Sequence, residues 1–409
     1  MMKRIFYNLL IMIVLMVACN DSSIGDTEQY PIGMYVENGK FMLEGKEFYG
    51  IGANYFDMFI RGVSIDDDSG LTGMWELTKL GVPFIRFSAS PYAPDSWKPY
   101  FDNKVAYFEF LDRIVKEAER LKIGLIPCLF WHTPTFPDLN GEHQDQYANP
   151  DSKTIAFIKS YTKEVVKRYK DSPAIWGWEF SNEYSLQIDI PGEGYIPALM
   201  TGSPFPERDP IRDKLSQEGM ILAFKIFTET IRQIDSTRPI FSGNDSPRAS
   251  AYHNTNDNPN DDWTPDNEAQ YRLMLERYES HVNTITTRGY YNYGYNKRNY
   301  PLGFTNISDF LRWLKIEGER LGKPVFVGEF GGLPQWTEES NGWVKYDDIR
   351  VAWKERFDAV VDNKIQLSAF WNYDYLYADN KERISLTNDP NGILNMVREY
   401  NKKLNPLTK

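Results

Sequence analysis

The sequence predicts an α/β protein in which eight parallel strands alternate with helices and close into one barrel. Three observations carry that expectation. Short apolar, β-branched runs recur at about 47–53, 83–88, 123–130, 174–180, 238–243, 282–287, 324–329 and 366–371. The stretches between them have helical period. No shift in composition divides the 409 residues into a second zone. Together these describe a (β/α)8 TIM barrel forming a single domain. A doubly wound open sheet is the alternative. It expects a Gly-rich phosphate turn after the first strand, and the sequence has none.

The helical stretches follow from spacing. Leu111, Ile114, Val115 and Ala118 share one face, as do Phe224, Phe227, Ile231 and Ile234, and Ile307, Phe310, Leu311 and Leu314. Helix-to-strand connections are short and Pro-marked, as in Lys170-Asp-Ser-Pro173, Asp235-Ser-Thr-Arg-Pro239 and Leu321-Gly-Lys-Pro324. Strand-to-helix connections are long, at about 184–210, 244–265, 288–305, 330–346 and 372–390. In such a barrel these long loops gather at one rim, where active sites sit. They carry many of the Trp and Tyr residues, so a deep or extended cleft is expected there.

Composition narrows the function. Hydrophobic content of 42% and charged content of 25% are those of a globular protein. Aromatic content is 15%, with 11 Trp and 26 Tyr. That excess serves either a large core or a cleft that stacks flat ligand faces, such as sugar rings. The net charge of −11 argues against a nucleic-acid partner, which would need basic patches.

Residues 1–18 read as a bacterial export signal. Lys3 and Arg4 precede a ten-residue apolar run from Leu9 to Ala18, too short for a mature membrane span. Met16-Val-Ala-Cys19 resembles a lipoprotein box, which implies lipidation of Cys19 and a bacterial envelope location. An ordinary cleaved signal peptide is the alternative. Residues 19–30 would then be a polar tether and 31–409 the barrel domain. The membrane partner would be reached through the lipid anchor only. Cys128, in an apolar run, is expected to be a buried and inert thiol.

Two strand ends carry a glutamate. The fourth run ends in Trp178-Glu-Phe-Ser-Asn-Glu183 and the seventh in Gly328-Glu-Phe-Gly331. Cleavage of a glycosidic bond needs two carboxyl groups flanking the anomeric carbon, one to donate a proton and one to attack or to activate water. The Asn-Glu pair alone says little, because Asn267-Glu268 repeats it at what reads as a capped helix start. The strand-end copy paired with Glu329 is the informative one.

These motifs resemble glycoside hydrolase clan A, and family 5 in particular, over nearly the whole chain beyond the leader. The resemblance implies retaining hydrolysis of a β-linked polysaccharide or oligosaccharide, with Glu183 as acid/base and Glu329 as nucleophile. It implies that Asn182 bonds the sugar 2-hydroxyl and that Arg86, in Phe84-Ile-Arg-Phe-Ser88, supports the nucleophile and keeps it ionised. Trp131-His132 ends the third strand, where the family often has a substrate-contacting His, so both are expected to bind or support the substrate, and Trp371 matches a Trp that floors a sugar subsite. At the sixth strand the family's His-x-Tyr is replaced by Arg288-Gly-Tyr290. Tyr290, or Tyr291 if the register shifts, would orient the nucleophile. The Trp-Glu-x-x-Asn-Glu run is similar to that of mannanases, so β-mannan is the favoured substrate. β-1,4-Glucan hydrolysis and exo-β-glycosidase action are the alternatives, and a non-catalytic glycan-binding surface lipoprotein is an alternative of another class. Glu179 reads as a structural acid inside the barrel.

No cofactor or metal is expected. The four His, at 132, 143, 253 and 281, form no close-spaced pair. Asp66-Asp-Asp68 and the acidic stretch 257–262 lack the spacing of a helix-loop-helix calcium site and read as solvated loops. There is no Gly-x-Ser-x-Gly elbow.

Overall fold

A computed structural model of the protein describes residues 30–188, 190, 194–257, 263–290, 301–331, 349–376 and 384–405. The export signal, Cys19, most of the tether, Tyr291 and most of the second acidic stretch lie outside the described residues.

The chain first forms a small antiparallel sheet that the strand pattern did not anticipate. It comprises β1 (Met34–Glu37), β2 (Lys40–Leu43) and β3 (Lys46–Glu47). Its buried Met34 and Phe41 pack with Phe84, Ile126, Trp176, Phe241, Phe326 and Leu367. Several of these open barrel strands, so the sheet closes the barrel's N-terminal end. Each such side chain taken from water contributes about 1.5–3 kcal/mol.

Eight parallel strands follow: β4 (Gly50–Asn54), β5 (Phe84–Ser88), β6 (Gly124–Phe130), β7 (Trp178–Ser181), β8 (Ile240–Phe241), β9 (Ile285–Arg288), β10 (Val325–Phe330) and β11 (Leu367–Phe370). Their order is β8-β7-β6-β5-β4-β11-β10-β9. The expected (β/α)8 barrel is therefore present. Between β8 and β9 the backbone ladder is replaced by side chains. The Ile240 amide donates to Asn283 Oδ1 (2.7 Å), and Thr284 Oγ1 donates to the Ile240 carbonyl (2.9 Å). The Ser246 and Thr287 hydroxyls meet at 2.7 Å.

Two strand boundaries differ from the sequence pattern in ways that bear on the site. The fourth apolar run begins at 174, yet pairing becomes continuous only at Trp178, after an isolated Ile175–Leu125 bridge. Trp176 lies against Gly124, where a Cβ would sit 2.1 Å from the indole. The sixth strand extends to Arg288, which pairs with Glu329 after a register shift between Val327 and Glu329.

The helices lie where the period places them. Lys104–Leu121, Gln217–Arg232 and Ile307–Leu321 bury the faces named above, with Ile234 just past the second. Asn103, Ser152, Ser216 and Asn306 each accept an amide of the first turn. Asn267 does the same in a full capping box with Gln270, so the second Asn-Glu pair is a helix start. The first acidic run also serves helix ends. Asp66 closes Met58–Ile65 in the left-handed region, Asp67 accepts the Ser69 amide, and Asp68 pairs with Arg113. Among the described residues no cluster could hold a metal ion, and no helix is long and apolar enough to cross a membrane.

Candidate active site

The strands' C-terminal ends bring together residues 275 positions apart in the chain, from Asn54 to Glu329. Arg86 on β5 is the hub. It is fully buried, and its guanidinium donates to Glu179 Oε2 (2.6 Å), Asn54 Oδ1 (2.8 Å), Glu329 Oε1 (2.8 Å) and Asn182 Oδ1 (2.9 Å). The Trp131 ring lies 4.3 Å from its central carbon, giving a desolvated cation–π contact. A planar fork of fixed donors suits this task, and the flexible lysine ammonium does not.

Glu183 follows β7 in the left-handed region, with φ at 54° and ψ at 36°. For a residue with a full side chain that conformation is uncommon and must be held by its surroundings. Here the Glu183 amide donates to the Gly243 carbonyl (2.8 Å). Gly243 has φ at +75°, and a Cβ there would sit 1.6 Å from the Ser181 carbonyl oxygen. The glycine lets the two chain segments meet, and the meeting fixes the Glu183 backbone.

The two glutamates face each other across Arg288. Its Nε lies 3.6 Å from Glu183 Oε1 and 3.6 Å from Glu329 Oε1. The facing oxygens are thus at most twice that distance apart. That accommodates the roughly 5–5.5 Å of retaining glycosidases and falls below most of the roughly 6.5–9.5 Å range of inverting ones. Their settings differ. Glu329 is held by Arg86, and the Tyr290 hydroxyl stands 3.4 Å from its other oxygen. Glu183 is held above the ordinary carboxylate range, first by loss of solvent and then by the charge of Glu329, with Arg288 opposing. Because 29% of its side-chain surface still faces the cleft, water tempers that rise. One carboxyl group thus has a fixed cation beside it, and the other favours its proton, so their environments push the two apart.

Asn182 Oδ1 accepts from both Arg86 and Arg288 Nη2, each at 2.9 Å. With its acceptor so occupied, the side-chain amide has its NH2 as the group left to donate. His132 is neutral, its value lowered to about 4 by burial and by Arg208. Thr135 donates its single hydroxyl proton to the Tyr92 carbonyl (2.5 Å), so His132 Nδ1 donates to Thr135 Oγ1 (2.9 Å). That leaves Nε2 as an acceptor. The His132 ring stacks on Tyr92 at 4.5 Å. Trp371 is half-buried beside Phe56, Trp131 and Tyr375. Trp131 is 5% exposed and packs behind Arg86, which makes it a support. Cys128 is buried beneath the site, and burial pushes its thiol well up.

Every site residue singled out from the sequence within the described residues lies on this rim. Two were missed. Asn54 closes β4, donating to the Gly328, Ala369 and Phe370 carbonyls while accepting from Arg86. A polar residue ending the run Gly50-Ile-Gly-Ala-Asn54 was the available signal. Asp245, after β8, accepts the Arg288 and Ser246 amides and adds to the rise at Glu183. Nothing in its local sequence marks it.

The family described as Cellulase (glycosyl hydrolase family 5) matches residues 56–375. A probable mannan endo-1,4-β-mannosidase C from Aspergillus terreus is 28% identical over 200 residues, covering 42% of this chain and 48% of its own. This chain thus spans about half the length of the curated relatives it matches. The fold is similar to that of an endo-1,4-β-mannanase from Rhizomucor miehei, with a TM-score of 0.63, 19% identity, and coverage of 91% of this chain and 99% of that one. It is also similar to an exo-β-1,4-mannosidase from Opitutaceae bacterium strain TAV5, with a TM-score of 0.60, 16% identity, and coverage of 90% and 62%.

Proposed function

The chain belongs to glycosyl hydrolase family 5, and from that premise we propose that it hydrolyses β-1,4-mannosidic bonds with retention of configuration. One observation carries the reaction type: two glutamates from β7 and β10 face one another with different partners, one clamped by Arg86 and one favouring its proton. The substrate rests on the curated relatives, which are named as mannan endo-1,4-β-mannosidases.

In the first half-reaction Glu329 attacks the anomeric carbon while Glu183 gives its proton to the leaving oxygen. In the second, Glu183 takes a proton from water, the water oxygen attacks the same carbon, and the electron pair returns to Glu329. Arg86 aims Glu329. Asn182 offers its NH2 to the 2-hydroxyl, His132 Nε2 accepts from a sugar hydroxyl, and Trp371 supplies an apolar face. The Tyr290 hydroxyl points at the nucleophile and steadies it.

A mannohexaose digest read by product size tests substrate and mode together. Mannobiose and mannotriose as first products support endo action, and mannose alone supports the exo reading, which the second structural likeness favours. Turnover of cellohexaose and not mannohexaose would move the assignment to β-1,4-glucan, the activity that the family description suggests. No turnover of either, with binding retained, would favour a glycan-binding protein.

Export belongs to the same proposal. Residues 1–18 would direct it, lipidation of Cys19 would tether the barrel through residues 20–30, and residues 31–409 would form the glycosidase domain. Radiolabelled palmitate should enter the wild-type protein in a bacterial host and be absent from Cys19→Ala. Equal labelling of both would remove the anchor from the account.

A further inference from the structure

Arg288 is an unusual residue to find buried between two carboxylates. It is 1% exposed, and its outer nitrogens are committed. Nη2 donates to Asn182 Oδ1 (2.9 Å) and to the Gly243 carbonyl (2.7 Å), and Nη1 lies 3.4 Å from the Asn244 carbonyl. Gly328 makes room for it, since a Cβ there would sit 2.3 Å from Nη1. The guanidinium is therefore fixed in place. Its Nε–H is different. It is buried, has no hydrogen-bond partner, and stands at the same 3.6 Å from an oxygen of each glutamate. A buried donor left unpaired costs about 1–3 kcal/mol unless some state of the protein uses it.

The proposed reaction supplies that state. When the nucleophile becomes an ester, Glu329 loses its charge, and when the acid gives up its proton, Glu183 gains one. The site's negative charge crosses from one glutamate to the other and returns in the second half-reaction. We propose that Arg288 is a positioning residue that serves both half-reactions, its fixed guanidinium offering the free Nε–H to whichever of Glu329 and Glu183 is ionised. The proposal rests on the retaining mechanism above. Arg86 cannot do the same, because its Nε and Nη1 are held by Glu179, Asn54 and Glu329.

The groups around Glu183 are Glu329, Arg288, Asp245, Arg86 and Tyr290. Arg288 additionally faces Glu179 and Glu279. Of the two cations, Arg288 lies between the glutamates. It makes Glu183 a stronger acid and a weaker base. Losing it should slow the step that needs the acid more than the step that needs the base.

The test uses the whole barrel with Arg288→Met, Arg288→Gln and Arg288→Lys. Circular dichroism and thermal melting show which variants fold, and Gln retains a donor for Asn182 if Met fails. Carbon-13 titration of glutamate-labelled protein, with Glu183 assigned through Glu183→Gln, needs no substrate. The Glu183 midpoint should rise by at least about one pH unit in the neutral variants and stay near wild type in Arg288→Lys. With aryl β-mannosides, the loss in kcat/KM should be at least about tenfold larger for a 4-methylphenyl than for a 2,4-dinitrophenyl leaving group, which needs little protonation. An unchanged midpoint in a folded neutral variant, or equal losses for both leaving groups, would overturn the role. A wild-type enzyme that cleaves no β-mannoside would overturn the functional reading, and the titration would still decide whether Arg288 sets the state of Glu183.

Discussion

At the scale of single residues, one guanidinium ties the site together. Arg86 bonds four side chains from three strand ends, those of β4, β7 and β10, and Glu179, its partner in the barrel interior, is fully buried. Removing one member of a buried pair leaves an uncompensated charge and costs about 3–5 kcal/mol. Arg86→Met should lower the unfolding free energy by that amount in urea titrations, and Arg86→Met/Glu179→Met should recover part of it. A loss below about 1 kcal/mol would mean the pair is not holding the barrel interior. Glu183 gives a second prediction. Burial and the Glu329 charge hold its proton above the ordinary carboxylate range. In the proposed mechanism Glu183 must be protonated for the first half-reaction, so activity should persist above pH 5 and fall along an alkaline limb set by Glu183. Glu183→Gln should remove that limb and lower kcat/KM by about 10²–10⁴-fold for poor leaving groups. A limb that survives the substitution would assign the acid elsewhere.

Elements decide how these residues meet. The left-handed turn at Glu183 exists because Gly243 lets β7 and the segment after β8 touch. Gly243→Ala forces a Cβ to 1.6 Å from a carbonyl oxygen, whereas Gly81, with φ at +74°, has open space around it. Both substitutions carry the cost of a left-handed alanine, about 1–2 kcal/mol. Only Gly243→Ala should also displace Glu183 and abolish activity. Equal melting temperatures for the two variants would refute the close approach. The seam between β8 and β9 makes a milder case. Thr284→Val should cost about 1 kcal/mol by deleting the bond to the Ile240 carbonyl. Much of this level was legible in the sequence. Apolar, β-branched runs and helical spacing located the eight strands and their helices, strand ends marked Glu183 and Glu329, and the family resemblance marked Arg86. What stayed hidden depended on contact between distant segments. Asn54 and Asp245 become site residues only once barrel closure brings β4 to β11 and the β8 loop to β9. The N-terminal sheet was missed because its strands are two to four residues long, too short for a period to register.

Across the whole molecule, the aromatic excess divides between two places. Trp97, Tyr100, Tyr107, Phe136, Phe157 and Tyr161 pack both edge to face and stacked among the helices, while Phe56, Trp131, Trp371 and Tyr375 cluster at the rim. Core and cleft both claim their share. Global stability should also respond to pH through Glu279, a buried acid outside the reaction. Burial raises it from 4.5 to about 7, and Ser242 is its hydrogen-bond donor. A carboxyl group whose folded value is raised contributes stability fully present below its unfolded value and lost as pH rises through the folded one. Glu279→Gln should therefore leave the melting temperature nearly unchanged at pH 4 and raise it at pH 8, by up to about 3 kcal/mol in free energy. A larger gain at pH 4 would reverse the sign and contradict the account. The central claim is that Glu329 forms a covalent bond to the sugar while Glu183 handles the proton. Its most direct test is mass spectrometry of peptides from enzyme inactivated with 2-deoxy-2-fluoro-β-mannosyl fluoride. The account predicts one added fluorosugar on the peptide containing Glu329 and none in Glu329→Gln; a label on any other residue would contradict it.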